Sequence, residues 1–147
     1  MLQIKEVAVY TNILNSKIKK YFADELQKYK INMTPEQYLV MDILWDEGAL
    51  SQQSIADIIQ KDKNSVTKFI DSLEKKGLVY RVVDKVDRRI NNIMLSEEGK
   101  RLKDTTTEVA INMMNKVING IDEDELSKFV KVLLKMKGNI DGMPNVM

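Results

Sequence analysis

The fold of this chain is decided by residues 62–95, which have the sequence DKNSVTKFIDSLEKKGLVYRVVDKVDRRINNIML. Asp62 is a residue type that commonly caps the start of a helix, and Gly77 is a type that commonly ends one. Between them the apolar side chains recur every three or four residues, at Val66, Phe69, Ile70 and Leu73. The first half of the stretch therefore predicts a helix with one apolar face.

The second half of the stretch predicts a β-hairpin. Residues 78–83 and 90–95 are rich in β-branched and aromatic side chains, which favour strands. The residues between them, 84–89, are charged apart from Val86 and are predicted to form the tip of the hairpin. The stretch thus predicts a helix followed by a two-stranded wing.

Two more helices are predicted upstream. Thr34-Pro35-Glu36-Gln37 combines an N-cap, a proline at the first helical position and the returning arm of a capping box, and Gly48 suits the end of that helix. Ser51 can cap a short helix that ends near Gln60. Its predicted inward residues are Ile55, Ile58 and Ile59. Residues 34–96 therefore predict a helix-turn-helix followed by the wing.

Long apolar stripes flank this central portion. Residues 4–29 are predicted to form one amphipathic helix, since they contain no Pro or Gly. Ser96 is predicted to open a helix that continues to Gly120, with an apolar stripe at Leu102, Val109, Met113 and Val117. Asp122 and Glu125 form a second predicted capping box. It begins a last helix with apolar residues at Leu126, Phe129, Val130, Leu133 and Leu134.

The predicted fold class is mainly α with a small β-hairpin wing (α+β), and the 147 residues form a single domain. Its parts are the winged helix-turn-helix (34–96), the helical dimerisation portion (1–30 and 97–140) and a flexible tail (141–147), with fraying from Gly138. The winged portion is too small to cover every stripe, so the terminal helices of two chains are predicted to pack in a symmetric interface. The alternative is a monomer whose terminal helices fold back on one another.

The composition excludes several classes of function. There is no Cys and no His, so disulfides, thiol catalysis, histidine-based catalysis and thiolate or imidazole metal sites are all excluded. Neither a cofactor nor a metal is expected, and an enzyme has little support because the carboxylate pairs lie where they satisfy helix N-termini. No apolar run approaches the roughly 18 residues of a membrane span and no signal pattern is present, so we expect a cytoplasmic protein without a membrane partner.

The net charge of +1 conceals an uneven distribution. Residues 31–59 carry five acidic and no basic side chains, whereas residues 60–90 carry nine basic and five acidic ones. The basic segment coincides with the predicted helix and wing, which is compatible with a local nucleic-acid footprint. The alternative is an ordinary solvated surface.

Helix-turn-helix proteins place the first residues of their second helix against base edges in the major groove of double-stranded DNA. The candidate contacts here are Lys63, Asn64, Ser65, Thr67 and Lys68. At the hairpin tip, Arg88 and Arg89 are candidates for a minor groove, and Asp87 can orient one guanidinium through a two-point pair. The alternative for both groups is a set of solvated charges and a surface ion pair.

The sequence resembles the MarR family of winged-helix transcription regulators over roughly residues 5–138. The resemblance is carried by the run from Ser65 to Val79, the wing Asp84-Lys85-Val86-Asp87-Arg88-Arg89 and the following Met94-Leu95-Ser96-Glu97-Glu98-Gly99. It implies a homodimer on a pseudo-palindromic operator, with recognition helices in successive major grooves and wings in the flanking minor grooves. Many members of this family are repressors that a small ligand releases from DNA.

Carried over by position, the resemblance assigns recognition-helix contacts to Lys63, Asn64, Ser65, Thr67 and Lys68. Asp87 and Arg89 match the wing aspartate and arginine of the family, and Arg88 is a second candidate for the groove. Asn64 stands where members often have Pro, so its base preference is expected to differ. Cysteine oxidation and zinc binding, which some members use, are excluded by the absence of Cys and His.

A small-molecule effector is a further candidate partner. Tyr10, Met41, Trp45, Met113 and the adjacent Met114 lie on helices that can border a cleft, although core packing is the alternative for each. The leading hypothesis is a sequence-specific DNA-binding transcription regulator, a ligand-released repressor. The alternative is a winged-helix module that binds another protein and not DNA.

Overall fold

The computed structural model describes residues 2–143, apart from the side chain of Leu2. The chain comprises two compact units that divide after Met114. The elements of the described part, in chain order, are α1 (Leu2–Lys28), α2 (Pro35–Glu47), β1 (Leu50–Ser51), α3 (Gln52–Ile59), α4 (Lys63–Lys75), β2 (Val79–Val83), β3 (Asn91–Leu95), α5 (Glu97–Arg101), α6 (Lys103–Val117) and α7 (Glu123–Asp141). The fold is thus mainly helical with a small antiparallel sheet, as predicted.

The predicted helix starts are confirmed by their hydrogen bonds. The Thr34 hydroxyl accepts from the Gln37 amide over 3.1 Å, and Gln37 Oε1 accepts from the Thr34 amide over 3.1 Å, which completes a capping box for α2. The side chains of Ser51 and Asp62 cap α3 and α4 by accepting from the backbone amides three residues later. These bonds lie within four residues of sequence, so the local pattern was sufficient to predict them.

The sheet has three strands in the order β1-β3-β2, all antiparallel. The predicted hairpin is present, with Val79 opposite Leu95 and Val83 opposite Asn91. The first strand was not predicted. It consists only of Leu50 and Ser51, which is too short to show an alternating pattern.

The core of the first unit lies between α2, α3, α4 and β3. Its fully buried apolar side chains are Leu26, Val40, Met41, Leu44, Ile55, Val66, Ile70, Leu73 and Ile93. Ile58 was predicted to face inward, but it is 52% exposed, because α3 packs through Ile55 and Ala56. Ile59 and Phe69 are only half-buried.

The single helix predicted from Ser96 to Gly120 is divided into α5 and α6. Ser96 caps α5 as predicted, with its hydroxyl accepting from the Gly99 amide over 3.0 Å. At Leu102 the backbone amide donates to the Glu98 carbonyl over 3.3 Å, and α6 begins at the next residue, Lys103. The predicted stripe is partly buried, since Val109 and Met113 are buried whereas Leu102 and Val117 are half-buried.

The second unit contains α7, which begins where Asp122 accepts from the Glu125 amide over 2.8 Å. Only this half of the predicted capping box is present among the described residues. The helix continues past Gly138, where fraying was predicted, as far as Asp141, and the rest of the predicted tail from residue 144 lies outside the described residues. Among the helices described, none is both long and apolar enough for a membrane span.

Candidate nucleic-acid interface

The start of α4 is held by a carboxylate. Asp62 Oδ1 accepts from the Ser65 amide and Asp62 Oδ2 accepts from the Ser65 hydroxyl, both over 2.8 Å. These hydrogen bonds lower the pKa of Asp62 below its ordinary value. The carboxylate therefore stays charged at neutral pH. It caps the helix and accepts the hydrogen bond that the Ser65 hydroxyl donates.

Three of the predicted contact residues on α4 are open to solvent. Lys63, Asn64 and Lys68 are exposed, and within the described residues their side chains make no hydrogen bond or ion pair. On the opposite face of the same helix Val66, Ile70 and Leu73 are buried. The helix thus presents two cations and one amide outward while its other face anchors it to the core.

Thr67 differs from these three residues because its hydroxyl is already bonded within the protein. Its Oγ1 donates to the Lys63 carbonyl over 2.9 Å and accepts from Gln52 Nε2 over 2.6 Å. The side chain is half-buried. Gln52 opens α3, so this bond joins the two helices of the helix-turn-helix.

Arg81 on β2 clamps α4 to the wing. Its Nη2 donates to Asp71 Oδ1 over 2.7 Å and its Nη1 to Glu74 Oε1 over 2.8 Å. Its Nε donates to Gln52 Oε1 over 3.4 Å. Sequence reasoning missed this residue, because only the folding of β2 onto α4 brings it to two carboxylates that lie one helical turn apart.

A second polar cluster fixes α4 from the side of α2. Gln37 Nε2 donates to the Ser72 hydroxyl over 2.8 Å, and Lys76 Nζ donates to Gln37 Oε1 over 2.7 Å. Burial lowers the pKa of Lys76. Gln37 is buried, so the residue that completes the capping box of α2 also fixes the end of α4.

The wing tip is organised by two aspartates. Asp84 Oδ2 accepts from the amides of Val86 and Asp87 over 3.0 and 2.9 Å, and Asp84 Oδ1 accepts from Asn92 Nδ2 over 3.1 Å. These bonds lower the pKa of Asp84. The tip is therefore a hydrogen-bonded turn in which the aspartate side chain replaces backbone acceptors.

Asp87 holds Arg89 as the sequence predicted. Arg89 Nε donates to Asp87 Oδ1 over 3.0 Å and Nη2 donates to Asp87 Oδ2 over 2.9 Å. The pair lowers the pKa of Asp87 and raises that of Arg89. Arg88 is also exposed at the tip, so the wing presents two permanent cations, one of them oriented.

A cavity of about 490 Å³ lies in the first unit. Apolar side chains form most of its wall, namely Ile18, Phe22, Pro35, Leu39, Ala110, Ile111, Met113 and Met114. Its polar groups are Asn15, Lys19, Glu36, Tyr38 and Lys61. Lys19 Nζ lies 2.7 Å from Glu36 Oε1, and this contact lowers the pKa of Glu36.

The cavity only partly matches the predicted ligand cleft. Met113 and Met114 line it, but Tyr10, Met41 and Trp45 do not. Met41 is fully buried, and Trp45 is buried with its Nε1 donating to the Gly99 carbonyl over 2.9 Å, so both belong to the core. Tyr10 is 63% exposed on α1. Helical periodicity could not separate core positions from cavity positions on the same helix.

Tyr38 connects the cavity to the tryptophan. It lines the cavity, and its ring packs edge-on against Phe22 at 5.0 Å and against Trp45 at 6.3 Å. Burial, reinforced by Asp42 and Asp46, raises the pKa of Tyr38 to about 12. The phenol is therefore neutral throughout the physiological range. In the described part of the chain, no group of three acidic side chains is placed to hold a metal ion.

Comparison with known proteins shows which proteins this arrangement is similar to. Residues 33–91, which contain α2 to the end of the wing tip, match the model of the MarR family. The match covers 59 of the 147 residues, so residues 33–91 are similar to the MarR family.

Similar proteins extend the likeness beyond the winged portion. The HTH-type transcriptional regulator SarZ of Staphylococcus aureus is 25% identical over 129 residues, which cover 88% of this chain and 84% of SarZ. The structure of the S. aureus MepR–DNA complex has a TM-score of 0.82 at 25% identity, covering 90% of this chain and 96% of MepR. BpsR of Bordetella bronchiseptica shares the fold, with a TM-score of 0.81, 23% identity and coverage of 89% and 92%.

Proposed function

We propose that the chain is a transcription regulator of the MarR family, which binds double-stranded DNA sequence-specifically as a homodimer and represses transcription until a small effector releases it. The observation that carries the proposal is the pairing of two cationic features on one rigid frame. Lys63, Asn64 and Lys68 are exposed on α4, and Arg89 is oriented at the wing tip. Arg81 joins the two features through β2 and α4.

The two features suit different grooves of B-DNA. A helix N-terminus with Lys and Asn side chains fits the major groove, where Lys pairs with guanine and Asn with adenine. An Arg at the tip of a thin hairpin fits the narrow minor groove, where the potential is most negative. MepR was crystallised in complex with DNA, which supports the same role for the present chain.

Dimerisation is proposed from apolar faces that are exposed among the described residues. On α1, Ile4, Val7, Tyr10 and Leu14 are all more than 40% exposed. On α7, Phe129, Val130 and Leu134 are at least half exposed. Faces of this size are unfavourable in water, and a second copy of the chain would bury them. A two-fold axis would then place two copies of α4 about 34–36 Å apart, which is one turn of DNA.

The cavity supports the effector part of the proposal. Its wall is mainly apolar, and its two lysines outnumber its single carboxylate, so it favours an anionic molecule with an apolar body. An aromatic carboxylic acid has both properties. In BpsR, 6-hydroxynicotinic acid regulates the binding of DNA, and this acid is of the same chemical class.

The primary test is fluorescence anisotropy with the DNA upstream of the chain's own gene, against a shuffled duplex, across a salt series. We expect selective binding that weakens steeply with salt, because each phosphate contact releases counterions. Lys68→Ala and Arg89→Ala should each weaken binding without changing dimerisation or melting. Equal, weak binding to both duplexes would contradict the proposal and favour a module that binds another protein.

The effector is tested with 6-hydroxynicotinic acid and benzoic acid. Either acid should change Trp45 emission through Tyr38 and release the bound duplex. Ala110→Leu, which fills part of the cavity without adding a second tryptophan, should weaken both responses and leave DNA binding intact. Undiminished release of DNA from this variant would show that the acids act elsewhere.

A further inference from the structure

Thr67 lies in the middle of a hydrogen-bonded chain that crosses three elements. Arg81 Nε on β2 donates to Gln52 Oε1, and Gln52 Nε2 on α3 donates to Thr67 Oγ1. Thr67 Oγ1 in turn donates to the carbonyl of Lys63, one turn earlier on α4. The donor–acceptor distances are 3.4, 2.6 and 2.9 Å.

The direction of each bond in this chain is imposed from its two ends. A guanidinium only donates, so Arg81 must meet the oxygen of the Gln52 amide, and the amide nitrogen must then face Thr67. A backbone carbonyl only accepts, so the hydroxyl hydrogen of Thr67 must lie towards Lys63. Asp71 and Glu74 hold Arg81 at 2.7 and 2.8 Å, which prevents the amide from turning over.

Because of these directions, the Thr67 hydroxyl cannot donate a hydrogen bond to DNA. Its only hydrogen is bonded to the Lys63 carbonyl, and its oxygen lies between that carbonyl and the Gln52 amide. The side chain as a whole is half-buried, on the helix that carries the exposed Lys63 and Lys68. The γ-methyl group is the part of Thr67 that remains for contact.

We propose that Thr67 determines base specificity through its γ-methyl group, which contacts the 5-methyl group of a thymine in each half-site. Gln52 and Arg81 are positioning residues that hold this methyl group outward. The inference rests on the proposed function, because it needs α4 in a major groove. Thymine alone carries a methyl group there, so the contact selects a base without a hydrogen bond.

The test uses the full-length protein and a duplex enriched by that protein from a random-sequence library. Each thymine is replaced singly by deoxyuridine, which deletes the 5-methyl group and keeps every hydrogen-bonding group. We expect one position in each half-site to lose about fourfold in affinity, the effect of exposing one buried methyl group.

Two variants of Thr67 separate its methyl group from its hydroxyl. Thr67→Ser keeps the hydroxyl and should bind the thymine and uracil duplexes equally. Thr67→Val keeps the methyl group and should retain the fourfold preference for thymine, because valine has one strongly preferred rotamer in a helix and needs no hydrogen bond to hold it. Gln52→Ala should reduce the preference while the salt dependence stays unchanged, which a general loss of structure would not do. Melting curves show whether each variant is folded. The deoxyuridine scan on the unsubstituted protein tests the inference even where a variant fails to fold.

The outcomes that would overturn the inference are distinct from failure of DNA binding. A preference for thymine that survives in Thr67→Ser would show that the γ-methyl group of Thr67 does not make the contact. Strong, salt-dependent enrichment without any uracil-sensitive position would overturn the inference alone. Failure to enrich any sequence, with no salt dependence, would overturn the proposed function and this inference together.

Discussion

The guanidinium of Arg89 meets the carboxylate of Asp87 at two points, with Nε 3.0 Å from Oδ1 and Nη2 2.9 Å from Oδ2, although the arginine side chain is 90% exposed. An exposed arginine normally samples many rotamers, and this contact restricts them before any DNA is bound. Asp87 is therefore expected to strengthen DNA binding by orienting Arg89, whereas its negative charge alone would weaken DNA binding.

Asp87→Asn should therefore weaken DNA binding by roughly fivefold, because losing the two-point contact frees Arg89. Charge alone predicts the reverse, since the variant removes a negative group beside the phosphates. Anisotropy with the enriched duplex measures the effect. Asp104→Asn, the same substitution at an exposed site on α6, is the matched control. Tighter binding by Asp87→Asn would contradict the positioning role.

Arg81→Met should destabilise the protein by about 1–2 kcal/mol, because Asp71 and Glu74 lose a charged partner. Both carboxylates are partly exposed, so solvent limits the cost. Urea unfolding measures the change. Arg81→Lys should recover only part of it, since an ammonium cannot reproduce the three-way fork. Full recovery by lysine would show that charge and not geometry matters at this site.

Gly99→Ala should destabilise the protein by about 3 kcal/mol, because a Cβ there would overlap the carbonyl oxygen of Leu78. The same carbonyl accepts from the Ser96 amide, so it cannot move away freely. Gly138→Ala on α7 is the control, since a Cβ there meets nothing within 4 Å. That substitution should stabilise the helix by up to about 1 kcal/mol, and thermal unfolding distinguishes the two signs.

Tyr38 predicts a loss of stability at alkaline pH. Its pKa is raised from 10.0 to about 12, so the folded state holds the phenol proton more tightly than the unfolded state. This contribution is complete below pH 10 and is lost as the pH rises towards 12. The prediction is tested by measuring tyrosinate absorbance and the free energy of unfolding against pH. Both are measured for the unsubstituted protein and for Tyr38→Phe. The variant should show a flatter stability profile between these pH values, and identical profiles would contradict the prediction.

The sequence predicted features whose partners lie close together in the chain. The caps at Thr34, Ser51, Asp62 and Ser96 bond to residues three positions away, and Asp87 bonds to Arg89 two positions away. Each is determined by side-chain chemistry and backbone geometry alone. The apolar spacing likewise predicted which face of α4 is buried.

The remaining features depend on contacts between elements. The chain from Arg81 through Gln52 to Thr67 spans 29 and then 15 residues, so no local pattern carries it. Exposure of Ile58 depends on where α3 packs, and the cavity depends on how α1, α2 and α6 surround one space. These features required the tertiary structure.

Lys61 lines the cavity, and the next residue, Asp62, caps α4. A single peptide bond thus joins the wall of the cavity to the start of the helix proposed to contact DNA. On the other side of Lys61, Gln60 ends α3 in the left-handed conformation. A residue other than glycine keeps this conformation only where the surrounding structure fixes it, so residues 60–62 form a restrained connection. An effector that draws Lys61 inward would pull directly on the capping aspartate. In the proposed repressor, the backbone at residues 61 and 62 would therefore connect effector binding directly to the start of α4.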